Sequence, residues 1–233
     1  MALIKTNYKE IPKDAIVLSE VEAVNYQLKI LFNWKNQWEI FGFKYGGIFL
    51  SCGAAITGIY VNNHYRQKVK LHTFGKITSY LPICVIPSIL AYFLHFQLII
   101  PDMILQKTAC PVCLELRSSA IQATVGCLMP TILAPLSSFA LAHKYGTSDI
   151  PYIHQEPKKL FQLYRKITKP IGNLLFAIFV GHALLGSAVT YAEFRSINKV
   201  NQKLAELEYT LEQTSDETKS RNIQLLLLHL MGQ

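Results

Sequence analysis

The chain has 233 residues, a formal net charge of +8, 51% hydrophobic residues and only 16% charged residues. Soluble domains carry about 25% charged residues, so this composition argues against a soluble globular protein. The excess of positive charge is explained below by membrane topology, and a nucleic-acid-binding function is not needed to account for it.

The first predicted element is an amphipathic helix in an N-terminal tail, residues 1–39. Trp34 and Trp38 follow it, and such amphipathic rings favour the headgroup zone of a bilayer. Apolar residues recur before them at spacings of three and four, which is the pattern of one helix face: Val17, Val21, Val24, Leu28 and Leu31.

Four stretches without Asp, Glu, Lys or Arg come next. A hydrocarbon core about 30 Å thick needs roughly 20 apolar residues of helix, and each stretch is long enough. A buried helix of a soluble protein normally exposes one charged face. We therefore predict an all-α, polytopic membrane protein whose transmembrane domain covers residues 40–193. Its four helices are Tyr45–Tyr65, Ile77–Pro101, Ser118–His143 and Pro170–Ala192.

The charges between these stretches are segregated. Loop one, residues 64–76, holds four basic residues and no acid, and loop three, residues 144–169, holds six basic and two acidic residues. Loop two, residues 102–117, and both tails are balanced. Because Lys and Arg accumulate on the side that is not translocated, loops one and three are expected there and both termini on the opposite side.

Small residues are paired four apart in the first and fourth stretches. Ala54 with Gly58, and Ala177 with Gly181, form small-xxx-small patterns that let helix backbones approach closely in lipid. They are interpreted as helix-packing surfaces within the bundle or as surfaces for a partner.

Loop three ends in a predicted amphipathic helix. Its apolar side is formed by Leu160, Leu163, Tyr164 and Ile167. The pattern is typical of a helix on an anionic membrane surface, and a plain topological anchor fits equally well. The basic patch on the other side consists of Lys158, Lys159, Arg165 and Lys166.

A C-terminal tail, residues 194–233, continues with a short heptad seam. The seam is too short for an independent coiled coil, so it predicts an amphipathic helix that docks on a partner or on the bundle. Its residues are Ile197, Val200, Leu204, Leu207 and Leu211.

Cys110-Pro-Val-Cys113 is the one motif with evident chemistry. The pair is interpreted as a disulfide or close thiol pair, with redox exchange or half of a zinc site as alternatives. Zinc would need two further ligands. His95 and His182 lie inside predicted spans without a buried acid, so we expect packing histidines. No catalytic, cofactor-binding or metal-binding residue is therefore assigned, and no enzymatic activity is expected.

The order and spacing of several short motifs resemble the transmembrane protein 126 family. The resemblance covers roughly residues 45–195. Its motifs are residues 53–66, Leu81-Pro with Ile86-Pro, Cys110 with Cys113, Arg117-Ser, Gly126 with Pro130, Ala142-His-Lys-Tyr145 and Lys169-Pro.

The resemblance implies a mitochondrial inner-membrane protein that assists assembly of respiratory complex I in a chaperone-like way, without enzymatic activity or a cofactor. Its partners would be membrane-arm subunits, other assembly factors and inner-membrane lipid, with cardiolipin as a candidate. Both termini would face the intermembrane space. The alternatives are a permanent accessory subunit of complex I and a membrane thiol-redox protein that uses Cys110 and Cys113.

Overall fold

The structure is a computed structural model that describes residues 17–108, 110–148, 150–151 and 157–231. This part of the chain is helical and contains no strand. Two π-helical turns, Leu81–Val85 and Thr124–Leu128, and a 3₁₀ turn, Lys169–Ile171, link consecutive helices. The α-helices within the described residues are α1 Glu20–Phe32, α2 Phe41–Lys68, α3 Lys76–Tyr80, α4 Ile86–Leu98, α5 Ile100–Ile104, α6 Pro111–Ala123, α7 Met129–Tyr145, α8 Pro157–Thr168 and α9 Gly172–Met231.

Three helical segments are long and apolar enough to cross a membrane: Lys76–Ile104, Pro111–Tyr145 and Pro157–Leu211. The all-α membrane architecture is therefore confirmed, whereas the count of four spans is not. The first predicted span, Tyr45–Tyr65, is helical within α2, but α2 is absent from this set. The reason is compositional, because glycines and polar residues are spread among the apolar residues of α2, as at Gly46, Gly47, Ser51, Gly53 and Gly58.

Helix α2 packs along α3 and α4 in an antiparallel direction. Near its start, the Tyr92 ring would be 2.8 Å from a Cβ added at Gly47. One turn later, the Ser51 hydroxyl donates to the carbonyl of Ser88 at 2.9 Å. Towards its end, a Cβ at Gly58 would be 2.6 Å from the carbonyl oxygen of Ile83.

The π-helical turns lie beside the prolines of two membrane segments. Pro82 is in the first residues of the turn Leu81–Val85, and Pro87 follows it. Proline lacks an N–H, so Pro87 cannot donate to the carbonyl of Ile83 four residues earlier. Gly58 of α2 lies close to that carbonyl.

Loops one and three meet at one end of the bundle. The hydroxyls of Thr147 and Ser148 both donate to the carbonyl of Val69, at 3.0 and 2.8 Å. The Tyr65 hydroxyl is 2.6 Å from that of Thr168, and His64 Nε2 is 3.1 Å from the carbonyl oxygen of Ile167. The two basic loops therefore share one end of the fold.

The chain divides into two compact units, Phe41–Phe194 and a second unit of residues 1–40 with 195–233. In the second unit, the Ser19 and Glu22 side chains form a reciprocal capping box at the start of α1. Lys203 forms an ion pair with Glu39, and Trp34 Nε1 donates to Glu39 at 3.0 Å. The hydrogen bond from Lys203, and to a smaller extent that from Trp34, lowers the pKa of Glu39.

Candidate functional site

The interior of the bundle contains three polar clusters, and the first is built around Arg66 in the last turn of α2. Its side chain is buried, with 3% of its surface exposed. The guanidinium donates to the carbonyls of His72 and Phe74 at 2.9 and 2.8 Å, and to the Ser79 hydroxyl at 2.7 Å. None of these acceptors is a carboxylate, so Arg66 forms no ion pair with them. Because two of them are backbone carbonyls of loop one, Arg66 organises the turn of this loop.

Loop one needs such an organiser because its backbone is unusual. Lys70 and His72 have φ values of 55° and 40°, in the left-handed region that non-glycine residues seldom adopt. Gly75, at φ 57°, packs against Leu141, and its carbonyl accepts from Arg66 at 3.2 Å. Arg66, which the sequence counts among the four basic residues of loop one, is therefore a buried structural cation at the end of α2.

The second cluster joins three helices through a buried histidine and a buried carboxylate. His95 Nε2 is 2.7 Å from Glu193 Oε2, and the side chains are 4% and 1% exposed. His95 Nδ1 lies 3.3 Å from the Ser118 hydroxyl, which donates to the carbonyl of Gly186 at 3.3 Å. The expectation that no buried acid accompanies the span histidines is therefore wrong for His95.

This second cluster depends on a glycine of α2 for its space. Gly46 is required beside it, because a Cβ there would collide with Glu193 Oε1. Hydrogen bonding offsets part of the cost of burying these polar side chains away from water.

The arrangement Ser118–His95–Glu193 has the connectivity of a serine nucleophile, base and acid. A nucleophile must reach its substrate, and Ser118 is only 1% exposed. Its hydroxyl also has the Gly186 carbonyl as an acceptor. We therefore assign these residues to helix association and give them no catalytic role.

The third cluster surrounds His182 on α9. Its Nε2 is 2.8 Å from the Thr57 hydroxyl, and its Nδ1 is 3.1 Å from Gln122 Nε2. Because the amide can only donate, Nδ1 accepts and the proton of a neutral ring is on Nε2. Gly126 makes room, since a Cβ there would be 2.6 Å from the imidazole. His182 is thus a hydrogen-bonded packing histidine.

Glu193 lies outside the fourth predicted span because it is the first charged residue after the charge-free stretch that ends at Ala192. A signal for it was present in the spacing along α9. His182, Gly186, Thr190 and Glu193 follow one another at intervals of four, four and three, which places them on one helix face. All four are buried.

The two small-residue pairs occupy different environments. Ala54 is fully buried and Gly58 touches the Ile83 carbonyl, so this pair packs inside the bundle. Ala177 and Gly181 are exposed, and no atom lies within 4 Å of a Cβ added at Gly181. Only the pair on α9 is therefore on the outer surface of the described bundle.

The heptad seam of the C-terminal tail is buried at its start and exposed towards its end. Ile197 and Val200 are buried and Leu204 is partly buried. Further along α9, Leu207 and Leu211 are 56% and 69% exposed.

The basic patch of α8 is exposed, but the apolar side of this helix packs inward. Ile167 is buried in a core cluster with Val61, Tyr65 and Leu71, and Leu160, Leu163 and Tyr164 pack against the same cluster. A helix that floats on a membrane surface would bury that side in lipid. In the structure that side of α8 is held in the protein core, while contact of the basic residues with lipid stays a prediction. The exposed basic residues are Lys158, Lys159, Arg165 and Lys166.

Cys110 and Cys113 lie at the start of α6, where Cys110 is the N-cap residue and Pro111 the first helical residue. Both are exposed free thiols. In the described residues, no group of three or more His, Cys, Asp or Glu side chains is arranged to hold a metal ion.

Comparisons with known proteins match this chain to one family. The family model described as transmembrane protein 126 matches residues 22–207. A Drosophila melanogaster protein, transmembrane protein 126, is 37% identical over 214 residues, which are 91% of this chain and 96% of that protein. The Rattus norvegicus protein transmembrane protein 126A is 25% identical over 128 residues, 55% of this chain and 63% of its own length. No solved structure matches significantly.

Proposed function

Because this chain belongs to the transmembrane protein 126 family, we propose that it is a mitochondrial inner-membrane assembly factor for respiratory complex I. In this role it holds hydrophobic membrane-arm subunits, together with other assembly factors, until they are incorporated. The family resemblance suggests the client. The structural observation that supports the proposal is the exposed apolar side of α9 around Ala177 and Gly181.

This surface, which we call the α9 outer face, has the shape that lateral helix docking requires. Its small positions, Ala177 and Gly181, are exposed and Gly181 has open space beside it. Leu174 and Leu184 flank them and are exposed as well. In lipid, association depends on close van der Waals packing, which small residues between larger ones permit.

The proposed topology has four spans, with α2 as the first. Support comes from the antiparallel packing of α2 along α3 and α4, and from the meeting of loops one and three at one end. An even number of crossings places both tails on the same side. The basic loops would then be in the matrix and the tails in the intermembrane space.

The exposed basic residues of α8 are proposed to contact anionic inner-membrane lipid, with cardiolipin as the candidate. Each basic residue near an acidic surface contributes about 1 kcal/mol. Since the apolar side of α8 is packed in the protein core, the attraction to lipid would be electrostatic, without insertion of apolar side chains into the bilayer.

The test is complexome profiling of mitochondria by native gel and mass spectrometry, with wild type and Gly181→Leu compared. An assembly factor co-migrates with partial complexes that carry membrane-arm subunits and is absent from mature complex I. The variant should insert normally but lose most of this co-migration. Full stoichiometry in the mature enzyme would identify an accessory subunit instead, and no co-migration with either species would refute both roles.

A further inference from the structure

The two cysteines at the start of α6 are accessible to molecules outside the bundle. Both side chains are exposed. The N–H of Cys113 donates to the carbonyl of Cys110 at 3.2 Å, so the two residues are held one turn apart. This is the spacing at which two thiols can act on one disulfide.

A purely structural disulfide would contribute little at this position. It would close a loop of only four residues, and the constraint from a disulfide grows with loop length. The turn is already fixed, because Pro111 begins the helix and Arg117 forms a 2.8 Å ion pair with Asp102. The exposed thiols are therefore not needed to maintain the fold.

The local electrostatics favour a thiolate at Cys110. A hydrogen bond from the Cys113 thiol, and then those from the backbone amides of Cys113 and Val112, lower the pKa of the Cys110 thiol. The partial positive charge at the start of α6 acts in the same direction.

Acidic groups on the neighbouring turns have other partners. Asp102 is bound by Arg117, and the Ser187 hydroxyl donates to Glu115 at 2.9 Å. Each of these carboxylates thus has a hydrogen-bond partner other than a cysteine. The negative charge that would oppose a thiolate is partly compensated.

We propose that Cys110 and Cys113 form a thiol–disulfide exchange site whose substrate is an external disulfide, a function separate from the assembly role. The Cys110 thiolate attacks one sulfur, the incoming S–S bond breaks, and the departing thiolate takes a proton from water. Deprotonated Cys113 then attacks Cys110 Sγ in the mixed disulfide and releases the second thiol. Two thiols of this chain are oxidised to one disulfide, and the incoming disulfide is reduced to two thiols.

The first experiment uses the purified full-length protein in lipid nanodiscs with two substrates: oxidised glutathione and a peptide cyclised by a disulfide. Trypsin cleavage after Lys107 and Arg117 leaves a peptide that contains both motif cysteines and none of the others. Its mass should fall by two hydrogens as the internal disulfide forms. The faster reagent identifies whether a small-molecule or a protein disulfide is the preferred source.

The second experiment assigns the attacking sulfur. Cys113→Ser should accumulate a mixed disulfide on Cys110 at least about tenfold faster than Cys110→Ser accumulates one on Cys113. Cys52→Ser, at another exposed cysteine, should leave the wild-type rate unchanged. Failure of both reagents to form the internal disulfide, or equal rates for the two single-cysteine variants, would overturn the proposal. The wild-type peptide mass decides the matter even if a variant does not fold.

Discussion

The buried side chains of Arg66 and Glu193 depend on fixed hydrogen-bond partners. Glu193 pairs with one histidine, whereas Arg66 distributes its donors over several neutral acceptors. Removal of a single partner from such a group leaves the other polar group buried without compensation, which costs more than the intact contact contributes. Stability should therefore respond sharply at these positions.

Glu193→Ala is expected to lower the free energy of unfolding by about 1–3 kcal/mol, because His95 is left buried without its acceptor. His95→Ala should have a similar effect. The double variant should cost clearly less than the sum, since each single change already removes the same contact. Unfolding in mixed micelles measures all three. Asp102→Asn, at an exposed ion pair, is the control and should cost less than about 1 kcal/mol; additive effects at Glu193 and His95 would contradict the pairing.

Arg66→Lys is expected to loosen loop one although the charge is retained. A lysine is a point charge with a flexible stem, and it cannot reach the carbonyls of His72 and Phe74 and the Ser79 hydroxyl together. Protease cleavage in residues 69–76 should become several-fold faster. Lys68→Arg, at an exposed position in the same turn, is the matched control. Equal cleavage of the Arg66 and Lys68 variants would show that Arg66 does not organise the loop.

At the scale of the helices, glycines distinguish internal contacts from the outer surface. Gly58 and Gly181 both stand in small-xxx-small patterns, and the patterns look alike in the sequence. Gly58 is buried against the backbone of the π-helical turn Leu81–Val85, whereas Gly181 borders open space. The same substitution must therefore have different consequences at the two positions.

Gly58→Leu should destabilise the bundle, because even its Cβ would lie 2.6 Å from the Ile83 carbonyl. Gly181→Leu should leave the thermal stability of the isolated protein within a few degrees of wild type. Thermal unfolding followed by size-exclusion chromatography in detergent separates the two outcomes. The opposite result, in which Gly181→Leu aggregates and Gly58→Leu remains monodisperse, would contradict the packing seen in the structure.

At the scale of the whole molecule, the distribution of basic residues and the packing of α2 together predict the topology. Epitope tags at both termini should be degraded by protease in mitoplasts, whereas tags inserted at residues 70–72 and 147–149 should be protected. A membrane-impermeant maleimide added to mitoplasts should label Cys110 and Cys113, because loop two is expected on the same side as the tails. Protected termini would refute four spans in this orientation.

The class of the protein is already evident from the order of its amino acids, since helical periodicity, charge-free length and basic loops follow from local composition. The sequence also supplied the family, because the short motifs occur in a specific order. The count of spans did not follow in the same way, since glycines and polar residues throughout α2 lower its mean hydropathy although the helix packs within the bundle.

Which side chains meet becomes evident in the folded chain alone. His95 and Glu193 are 98 positions apart, and Thr57 and His182 are 125 apart. Such pairs depend on the rotation and axial register of packed helices, which local spacing does not specify. For the same reason, Arg66 counts as a loop charge along the chain but is buried in the fold. The α9 outer face becomes distinct from the internal Ala54–Gly58 contact only when the neighbouring helices are in place.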